Sequence, residues 1–452
     1  MMFFKLFLRS GSQVCRLQCE PALRSVLSRR SPASSSAALS KIKSMDELQG
    51  PSFMTSLYWL FVKGYFNKTH QMQIEHTKIY GPLWKSKYGP LVVVNVASAE
   101  LIEQVLRQEG KHPIRSDMPH WRGYRELRKQ AYGPLTGLGA EWQCIRSVLN
   151  PRMLKPKHVS TFSPAINQVV TDFIQRVQWL REKQEGGVMV HDVAGELYKF
   201  AFEAQKLIDN KVIEIQEKVN KGEPIEGEYL THLLVSDKMS ITQILGSITE
   251  LLLAGVDTTS NTISWALYHL AREPEIQEKL HREVDSVCPG DKIPTSEDIA
   301  KMVWLKAIVR ETLRLYPVVP GNARVTAEKE IVVGDYIFPK KTLFHLCHYA
   351  VSYDECNFPE PQTFLPQRWL RGEERFKQHP FSSVPFGFGI RACLGKRVAE
   401  LEMYCILSRL MKHFEVRPDP SGKTVKPITR TLLVPGTPIS LQFRDRRLKQ
   451  SE

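Results

Sequence analysis

The sequence predicts a mainly α-helical domain with a small β-rich region, an α+β fold. Helical patterns outnumber strand patterns along the chain, one helical pattern is long enough to cross a domain, and one short segment has the pattern of a β-hairpin. No linker, repeat or low-complexity segment interrupts residues 45–452. We therefore interpret residues 45–452 as one large domain and residues 1–44 as a separate leader.

Residues 1–44 have the composition of a targeting segment. They contain eight Lys or Arg residues against the single acid Glu20, and serines cluster between positions 31 and 36. An Arg-rich, Ser-rich and acid-poor segment is typical of a mitochondrial transit peptide. A secretory signal is the alternative, but the segment lacks a clean apolar core. No run reaches the roughly 18 apolar residues of a transmembrane helix.

The charge of the chain favours an acidic partner. The formal net charge is +14, of which the leader contributes eight bases less one acid, or +7, so that the remaining chain also carries +7. A basic body suits docking of an acidic protein, with an ordinary solvated charged face as the alternative. The eight cysteines form no paired framework and no Cys-x-x-Cys motif, which is typical of a reducing compartment.

A long helix is predicted from about Ser240 to Glu273. Ser240 and Gln243 have the spacing of a capping box, and Pro274 marks the end of the pattern. These 34 residues would extend roughly 50 Å at about 1.5 Å per residue. A helix of that length crosses a whole domain, so its centre is expected to be buried.

An acid and an alcohol, Asp257 and Thr258, stand in the middle of this helix beside Gly255. Burying such a pair is costly unless the pair has a function. Gly255 weakens the helix and can open a local groove. The alternative is that Thr258 bonds back to its own helix and that Asp257 forms an ion pair in the core.

Short-range patterns predict two further elements. Glu311 and Arg314 lie three residues apart on a predicted helix that ends just before a proline, so they share a face and can form an ion pair. Further along, the apolar runs 331–333 and 336–338 flank a Gly-Asp dipeptide, which is typical of a β-hairpin.

The segment 386–395, FGFGIRACLG, is the most informative in the chain. It places Cys393 at the end of a glycine-rich loop, directly before a helix predicted from Arg397 to His413. Amide N–H groups at the start of a helix favour a thiolate, glycines let the backbone approach a flat cofactor, and Arg391 can pair with an acidic group on it. A cysteine-ligated haem iron needs this combination, and a buried structural cysteine is the alternative.

This segment resembles the haem-binding loop of the cytochrome P450 monooxygenases, and four further motifs follow the order found in that family. The resemblance implies the P450 fold with a long central helix. It also implies haem b as the cofactor, with the Cys393 thiolate as axial ligand of the iron. The haem contacts that it implies are Trp142, Arg146, Arg324, Phe386, Arg391, Cys393 and Gly395.

The same resemblance assigns roles to the other motifs. Asp257 and Thr258 would deliver protons on the distal side of the haem. Glu311 and Arg314 would bind Arg368 and so brace the haem loop. A glutamine precedes Arg368 where members of the family often carry an acid or a histidine, but the arginine itself is retained.

Within the family, the chain is most similar to the mitochondrial sterol hydroxylases, with vitamin D hydroxylases and a retinoid desaturase as close cousins. The similarity is carried by the segments 132–134, 257–262, 265–270 and 315–320. It implies hydroxylation of a sterol side chain with O2, in bile-acid synthesis or vitamin D activation, with Val318 and Val319 as apolar pocket residues. Oxidation of a vitamin D sterol or a retinoid is the alternative.

The mitochondrial branch also implies partners. Electrons would come from a small acidic, adrenodoxin-like ferredoxin and its reductase. The ferredoxin site that the resemblance implies consists of Lys306, Arg310, Lys396 and Arg397. We expect the protein on the matrix side of the inner mitochondrial membrane, peripherally associated with it, and we expect no nucleic-acid partner.

One departure from the family pattern falls at the junction of Ala204 and Gln205. Trp142 and Ala254 are only 112 positions apart, too few for the helices that members carry between them. After Ala204 the sequence resembles the end of a much later family helix. The absent segment would include roof helices of the substrate pocket and a loop that contacts the membrane. A non-catalytic or unstable haem-binding isoform is therefore the second hypothesis.

Overall fold

The computed structural model describes six stretches of the chain. They are residues 42–116, 119–184, 186–203, 238–326, 328–370 and 378–446. Most of the predicted leader and the junction at 204–205 lie outside the described residues, so the expectation of missing roof helices stays a prediction. No helix within these stretches is both long and apolar enough to cross a membrane.

Helices dominate the described residues, which confirms the predicted fold class. A further helix covers residues 193–203. In chain order the labelled helices are α1 (Phe53–Leu57), α2 (Thr69–Tyr80), α3 (Ala99–Arg107), α4 (Pro119–Leu127), α5 (Gly139–Met153), α6 (Pro156–Val159), α7 (Ser163–Glu182), α8 (Ile241–Arg272), α9 (Pro274–Val287), α10 (Ser296–Lys301), α11 (Val303–Leu315), α12 (His348–Ser352) and α13 (Lys396–His413).

The long central helix is α8, and its start and end agree with the prediction. Ser240 accepts a hydrogen bond from the Gln243 amide, and the Gln243 side chain accepts one from the Ser240 amide, so the capping box is present. The helix has 32 residues and continues through Gly255 without a break. It ends directly before the α9 helix, which begins at Pro274.

The strands form four small sheets within the described residues, with the orders β2-β3-β8-β5, β1-β7-β6, β4-β12-β9 and β10-β11. They are β1 (Lys43–Ser44), β2 (Leu83–Tyr88), β3 (Leu91–Val96), β4 (Met189–Val190), β5 (Asn322–Val325), β6 (Ile331–Val333), β7 (Tyr336–Phe338), β8 (Leu343–Leu346), β9 (Phe414–Pro418), β10 (Pro427–Thr429), β11 (Leu433–Pro435) and β12 (Leu441–Asp445).

The predicted hairpin is the antiparallel pair β6–β7. Val333 pairs with Tyr336, and Gly334 has φ 57°, the left-handed conformation that glycine adopts at low cost. On the other side of β7, Lys43 and Ser44 pair with Tyr336 and Ile337. Lys43 and Ser44, which the charge pattern assigns to the leader, therefore lie in this sheet.

The main hydrophobic core determines where the cysteine loop lies relative to α8. Helix α8 packs against α9, α11 and α13, and α7 packs against α13 in the same cluster, in which the side chains of Leu267 and Ile406 are fully buried. Cys393 stands three residues before α13 begins. The same core therefore positions both the start of α13 and the middle of α8.

Candidate active site

The cysteine loop has a conformation that only its glycines adopt easily. Gly387 has φ 70° and Gly389 has φ 72°, both in the left-handed region. The amide of Cys393 donates a hydrogen bond to the carbonyl of Phe386 (2.8 Å), which closes the loop. The sulfur then lies just before the amino terminus of α13, as the sequence predicts.

The environment of the Cys393 sulfur contains opposing influences. Burial raises the pKa of the thiol above its ordinary value. The N–H groups of Gly395 and Lys396 and the guanidiniums of Arg115 and Arg146 lower it, but by less. The N–H groups at the helix terminus thus favour the thiolate, as the sequence predicts, while burial opposes it. A metal ion coordinated by a thiol deprotonates it outright, so binding of iron would supply the missing stabilisation.

Arg391 joins the cysteine loop to the segment before α5. Its Nε donates to the carbonyl of Pro113 (2.9 Å) and its Nη2 to the carbonyl of Gly137 (3.0 Å). The Cζ of Arg391 lies 3.9 Å from the ring centroid of Trp142, on α5. The predicted residues Trp142 and Arg391 are therefore in direct contact.

Two more arginines bind the backbone of the cysteine loop. Arg146 donates to the carbonyls of Ile390 (3.2 Å) and Ala392 (3.1 Å). Arg115 donates to the carbonyl of Arg391 (2.8 Å). No motif in the sequence marks Arg115, because an isolated arginine in a loop carries no periodic or spacing signal.

Arg324, on β5, completes the group and carries its one anionic partner. Its side chain forms an ion pair with Glu109, which follows α3. The carboxylate of Glu109 is a second residue that the sequence analysis missed. Four guanidiniums (Arg115, Arg146, Arg324 and Arg391) thus share one carboxylate, an excess of three positive charges.

The unsatisfied groups of this arginine cluster fit the acidic edge of a haem. Burial and the neighbouring guanidiniums lower the pKa of Arg391 to about 9 and that of Arg115 to about 10. Within this cluster, four buried donor atoms have no hydrogen-bond partner among the described residues: Arg115 Nε, Trp142 Nε1, Arg146 Nε and Arg391 Nη1. Buried donors and unpaired cations are costly, so two propionates beside a thiolate would compensate them.

The middle of α8 presents the predicted acid and alcohol. The Thr258 hydroxyl donates to the carbonyl of Ala254 (2.7 Å), so Thr258 bonds back to its own helix, as the alternative interpretation had it. Asp257 forms no ion pair with any described residue, and burial alone raises the pKa of its carboxyl.

Glu402 connects α13 to α8 and was not predicted to do so. Its Oε2 accepts a hydrogen bond from the Thr259 hydroxyl (3.3 Å). Burial raises the pKa of this half-buried carboxyl to about 7. Thr259 directly follows Thr258, so the carboxyl of Glu402 contacts α8 one residue after the predicted alcohol.

We expect Glu402 to make the stability of the fold depend on pH. An unfolded glutamate titrates near 4.5, so between about pH 4.5 and 7 the folded state holds a proton that the unfolded state releases. The free energy of unfolding should therefore fall as the pH rises through this range, by at most about 3 kcal/mol and by less where solvent reaches the carboxyl. Urea unfolding should show that the free energy of unfolding of Glu402→Gln depends less on pH than that of wild type. At pH 8 the variant should be more stable than wild type.

Glu400→Gln is the matched control for this prediction, because Glu400 lies on the same helix and pairs with the exposed Arg397. The free energy of unfolding of Glu400→Gln should depend on pH as that of wild type does. If the free energy of unfolding of Glu402→Gln still falls with pH as steeply as that of wild type, Glu402 does not cause the pH dependence.

The predicted Glu311–Arg314–Arg368 group is assembled and fully enclosed. Arg314 and Arg368 contact Glu311 Oε1 at 2.7 and 3.1 Å, and none of the three side chains is more than 4% exposed. Trp369 Nε1 donates to Glu311 Oε2 (2.8 Å), and Arg314 also donates to the carbonyls of Ser352 and Pro361. A buried ion pair with every donor occupied orients the chain segments that it joins.

The four basic residues predicted for a partner lie on α11 and α13, which pack together. Arg310 and Arg397 are exposed. Lys306 is half-buried and donates to the carbonyl of Ala300 (2.5 Å), and burial lowers its pKa. Lys396 lies over the ring of Phe386, its Nζ 5.5 Å from the centroid.

The two predicted pocket valines differ in their surroundings. Val318 is buried, and its carbonyl accepts a hydrogen bond from the Leu433 amide at the start of β11 (2.8 Å). Val319 is half-buried. Val319 is therefore the more accessible of the two to a bound molecule.

The chain is similar to three kinds of mitochondrial or related enzyme over nearly its whole length. It is 40% identical to "Sterol 26-hydroxylase, mitochondrial" of Rattus norvegicus, covering 90% of each chain. It is 39% identical to "25-hydroxyvitamin D-1 alpha hydroxylase, mitochondrial" of Homo sapiens, covering 89% of this chain and 93% of the relative. It is 36% identical to "Cytochrome P450 27C1" of Danio rerio, covering 92% and 90%.

The alignment with the rat protein includes positions without a counterpart in this chain. Ninety per cent of the 452 residues is about 407 residues, so about 73 of the 480 aligned positions have no counterpart here. The Cytochrome P450 family model matches in two parts, residues 48–205 and 193–443, which overlap over residues 193–205. Together, the two matches and the relatives show that the chain belongs to the cytochrome P450 family of monooxygenases.

Proposed function

We propose that this monooxygenase hydroxylates the side chain of a sterol, using O2 and electrons from a mitochondrial ferredoxin. The observation that carries the proposal is the arginine cluster around the Cys393 loop. Similarity to a sterol 26-hydroxylase supports the substrate class. Similarity to a vitamin D 1-alpha hydroxylase supports a vitamin D sterol as the second candidate.

The residues of the candidate site would have separate roles in binding haem. Cys393 would ligate the haem iron, and Arg146, Arg324 and Arg391 with Trp142 would hold the propionates. When bound, haem activates O2 for insertion of one oxygen atom into a carbon–hydrogen bond. The protein orients the substrate and excludes water around that bond.

Asp257 and Thr258 would manage protons on the distal side. Asp257 is half-buried, so its carboxyl can exchange protons with solvent and carry them inward. The Thr258 proton is engaged by the carbonyl of Ala254, so its oxygen presents lone pairs to the site and can accept a hydrogen bond there. The two groups would therefore act in series, Asp257 as donor and Thr258 as acceptor.

The relatives support a mitochondrial location for this protein. Both the sterol and the vitamin D hydroxylases are mitochondrial proteins. We place this protein on the matrix side of the inner membrane, with residues 1–44 as its transit peptide. A position beside the membrane gives an apolar sterol a short route to the site.

Product analysis tests the proposed function. The full chain is reconstituted with ferredoxin, ferredoxin reductase and NADPH, and offered cholesterol or a vitamin D sterol. Side-chain hydroxylation supports the proposal, and the preferred substrate separates the two candidates. A protein without the carbon-monoxide absorption of thiolate-ligated haem would instead be the non-catalytic form that the alignment gap favours.

Reversing two basic charges on α11 should weaken ferredoxin binding. In Lys306→Glu/Arg310→Glu we expect affinity at low salt to fall at least about tenfold and its salt dependence to flatten, because charge complementarity steers association. Binding titrations at two salt concentrations measure both effects, and haem content should not change.

The matched control is Lys87→Glu/Lys340→Glu, an equal charge change at exposed positions in the β-rich region. It should leave ferredoxin affinity within about twofold, since screening removes effects beyond about 10 Å. Equal losses in both double variants would mean that net charge, and not this surface, attracts the ferredoxin.

A further inference from the structure

Glu250, on α8, is a buried carboxylate that the mechanism above does not use. Its side chain has no exposed surface. Its Oε2 accepts hydrogen bonds from the amides of Leu135 (2.7 Å) and Thr136 (3.2 Å). Its Oε1 accepts from the amide of Gly133 (3.1 Å) and from the Thr136 hydroxyl, and it pairs with Arg125 at 3.3 Å.

We propose that Glu250 is a positioning residue that fixes the loop 131–137 and, through it, the haem-binding contacts of Arg391. The proposal rests on the haem site proposed above. It assigns to α8 a second task, because the same helix that presents Asp257 and Thr258 would also hold the edge of the cofactor site in place.

The loop lies directly against α8, without room for side chains between them. A Cβ added to Gly133 would come within 2.5 Å of Glu250 Oε2, and one added to Gly246 would come within 2.6 Å of the carbonyl of Ala131. Arg125 also donates to the carbonyl of Ala131 (2.5 Å). Glu250 and Arg125 therefore hold both the start and the middle of the loop.

The end of the loop 131–137 is hydrogen-bonded to Arg391 of the cysteine loop. The amide of Gly137 donates to the carbonyl of Gly133 (2.8 Å), so the loop closes as a tight turn. The carbonyl of Gly137 accepts the hydrogen bond from Arg391 Nη2 (3.0 Å). An unbroken series of contacts thus runs from Glu250 through Gly133 and Gly137 to Arg391, two residues before Cys393.

The chemistry of the site requires a carboxylate. All five partners are donors, and each oxygen of Glu250 accepts at least two of them. In Glu250→Gln one oxygen becomes an NH2 group, which would face two or more donors in either orientation of the amide. The variant keeps the size of the side chain but loses hydrogen bonds that hold the loop 131–137 on α8.

Two measurements test the proposal. One is the rate of haem transfer from the full-length protein to haem-free myoglobin, and the other is amide hydrogen exchange of residues 131–137 in the haem-free protein. In Glu250→Gln we expect both to rise at least about tenfold, since loss of one charge-assisted hydrogen bond corresponds to about that factor. Exchange in α13 should not change.

Glu283→Gln is the matched control, because Glu283 likewise accepts two backbone amides, those of Trp304 and Leu305, away from the haem site. It should leave haem transfer within about twofold of wild type, since it breaks no contact of this series. Thr136→Val deletes only one donor to Glu250, so it should shift both measurements in the same direction as Glu250→Gln by a smaller factor. If Glu250→Gln does not fold, Thr136→Val takes its place in both measurements.

A double-variant cycle with Arg391→Lys separates a positioning role from general destabilisation. If Glu250 acts through Arg391, the effects of Glu250→Gln and Arg391→Lys on haem transfer should combine less than additively. Additive effects, or unchanged haem transfer in Glu250→Gln, would overturn the proposal. A wild-type protein that never acquires thiolate-ligated haem would refute the proposed function, and hydrogen exchange would still decide whether Glu250 anchors the loop.

Discussion

Replacing Cys393 with serine is expected to abolish the absorption of thiolate-ligated haem completely. Only a sulfur anion donates enough electron density to the iron to give that spectrum, and a serine hydroxyl does not ionise at neutral pH. The loop itself should keep its shape, because Gly387 and Gly389 set its backbone and the amide of residue 393 still reaches the carbonyl of Phe386. The carbon-monoxide difference spectrum of the purified variant measures the outcome.

Cys405→Ser is the control for the loss of a sulfur atom near the site. Cys405 lies on α13, the helix that follows Cys393, and is fully buried, which raises the pKa of its thiol to about 12. A thiol of that kind is a packing group and not a ligand. The variant should keep the wild-type spectrum, and a spectrum that depends on Cys405 instead of Cys393 would refute the ligand assignment.

Local features of the site could be predicted from the sequence because each depends on residues close together in the chain. The capping box of α8, the hairpin turn at Gly334 and the position of Cys393 before α13 all follow from spacing alone. The pair Glu311 and Arg314 also follows, since three residues along a helix place two side chains on one face.

Contacts between distant parts of the chain could not be predicted in this way. Glu250 binds residues more than 110 positions earlier, and Glu402 meets Thr259 across 143 positions. Periodicity shows that such residues face inward but does not say what they meet. The burial of Cys393, which raises the pKa of its thiol, likewise depends on segments distant in the chain and could not be predicted from the local pattern.

The second large effect concerns the segment that the alignment gap indicates. About 73 positions of the rat relative have no counterpart in this chain, and the family match divides into two parts that overlap over residues 193–205. Large apolar side chains on either side of the junction 204–205 are exposed: Phe202 is 64% exposed and Leu253, at the middle of α8, is 46% exposed. We infer that the absent segment would cover these side chains and the substrate above them.

Inserting the relative's segment between Ala204 and Gln205 should therefore raise sterol affinity by up to about a thousandfold. Apolar contact stabilises a bound sterol by about 25 cal/mol per Å², so a loss of roughly 150 Å² of contact costs about 4 kcal/mol. An open site also admits water and diverts electrons to peroxide. Sterol binding titrations, and the ratio of hydroxylated product to peroxide, measure the two effects.

The control is an insertion of the same length made of Gly and Ser, which restores the spacing but offers no apolar surface. It should restore neither sterol affinity nor the yield of hydroxylated product. If the unaltered chain already binds and hydroxylates sterols as well as the form with the inserted segment, the substrate needs no such cover, and the gap marks a shortened but complete site. We expect the opposite, because the side chains of Phe202 and Leu253 remain exposed in the chain as it stands.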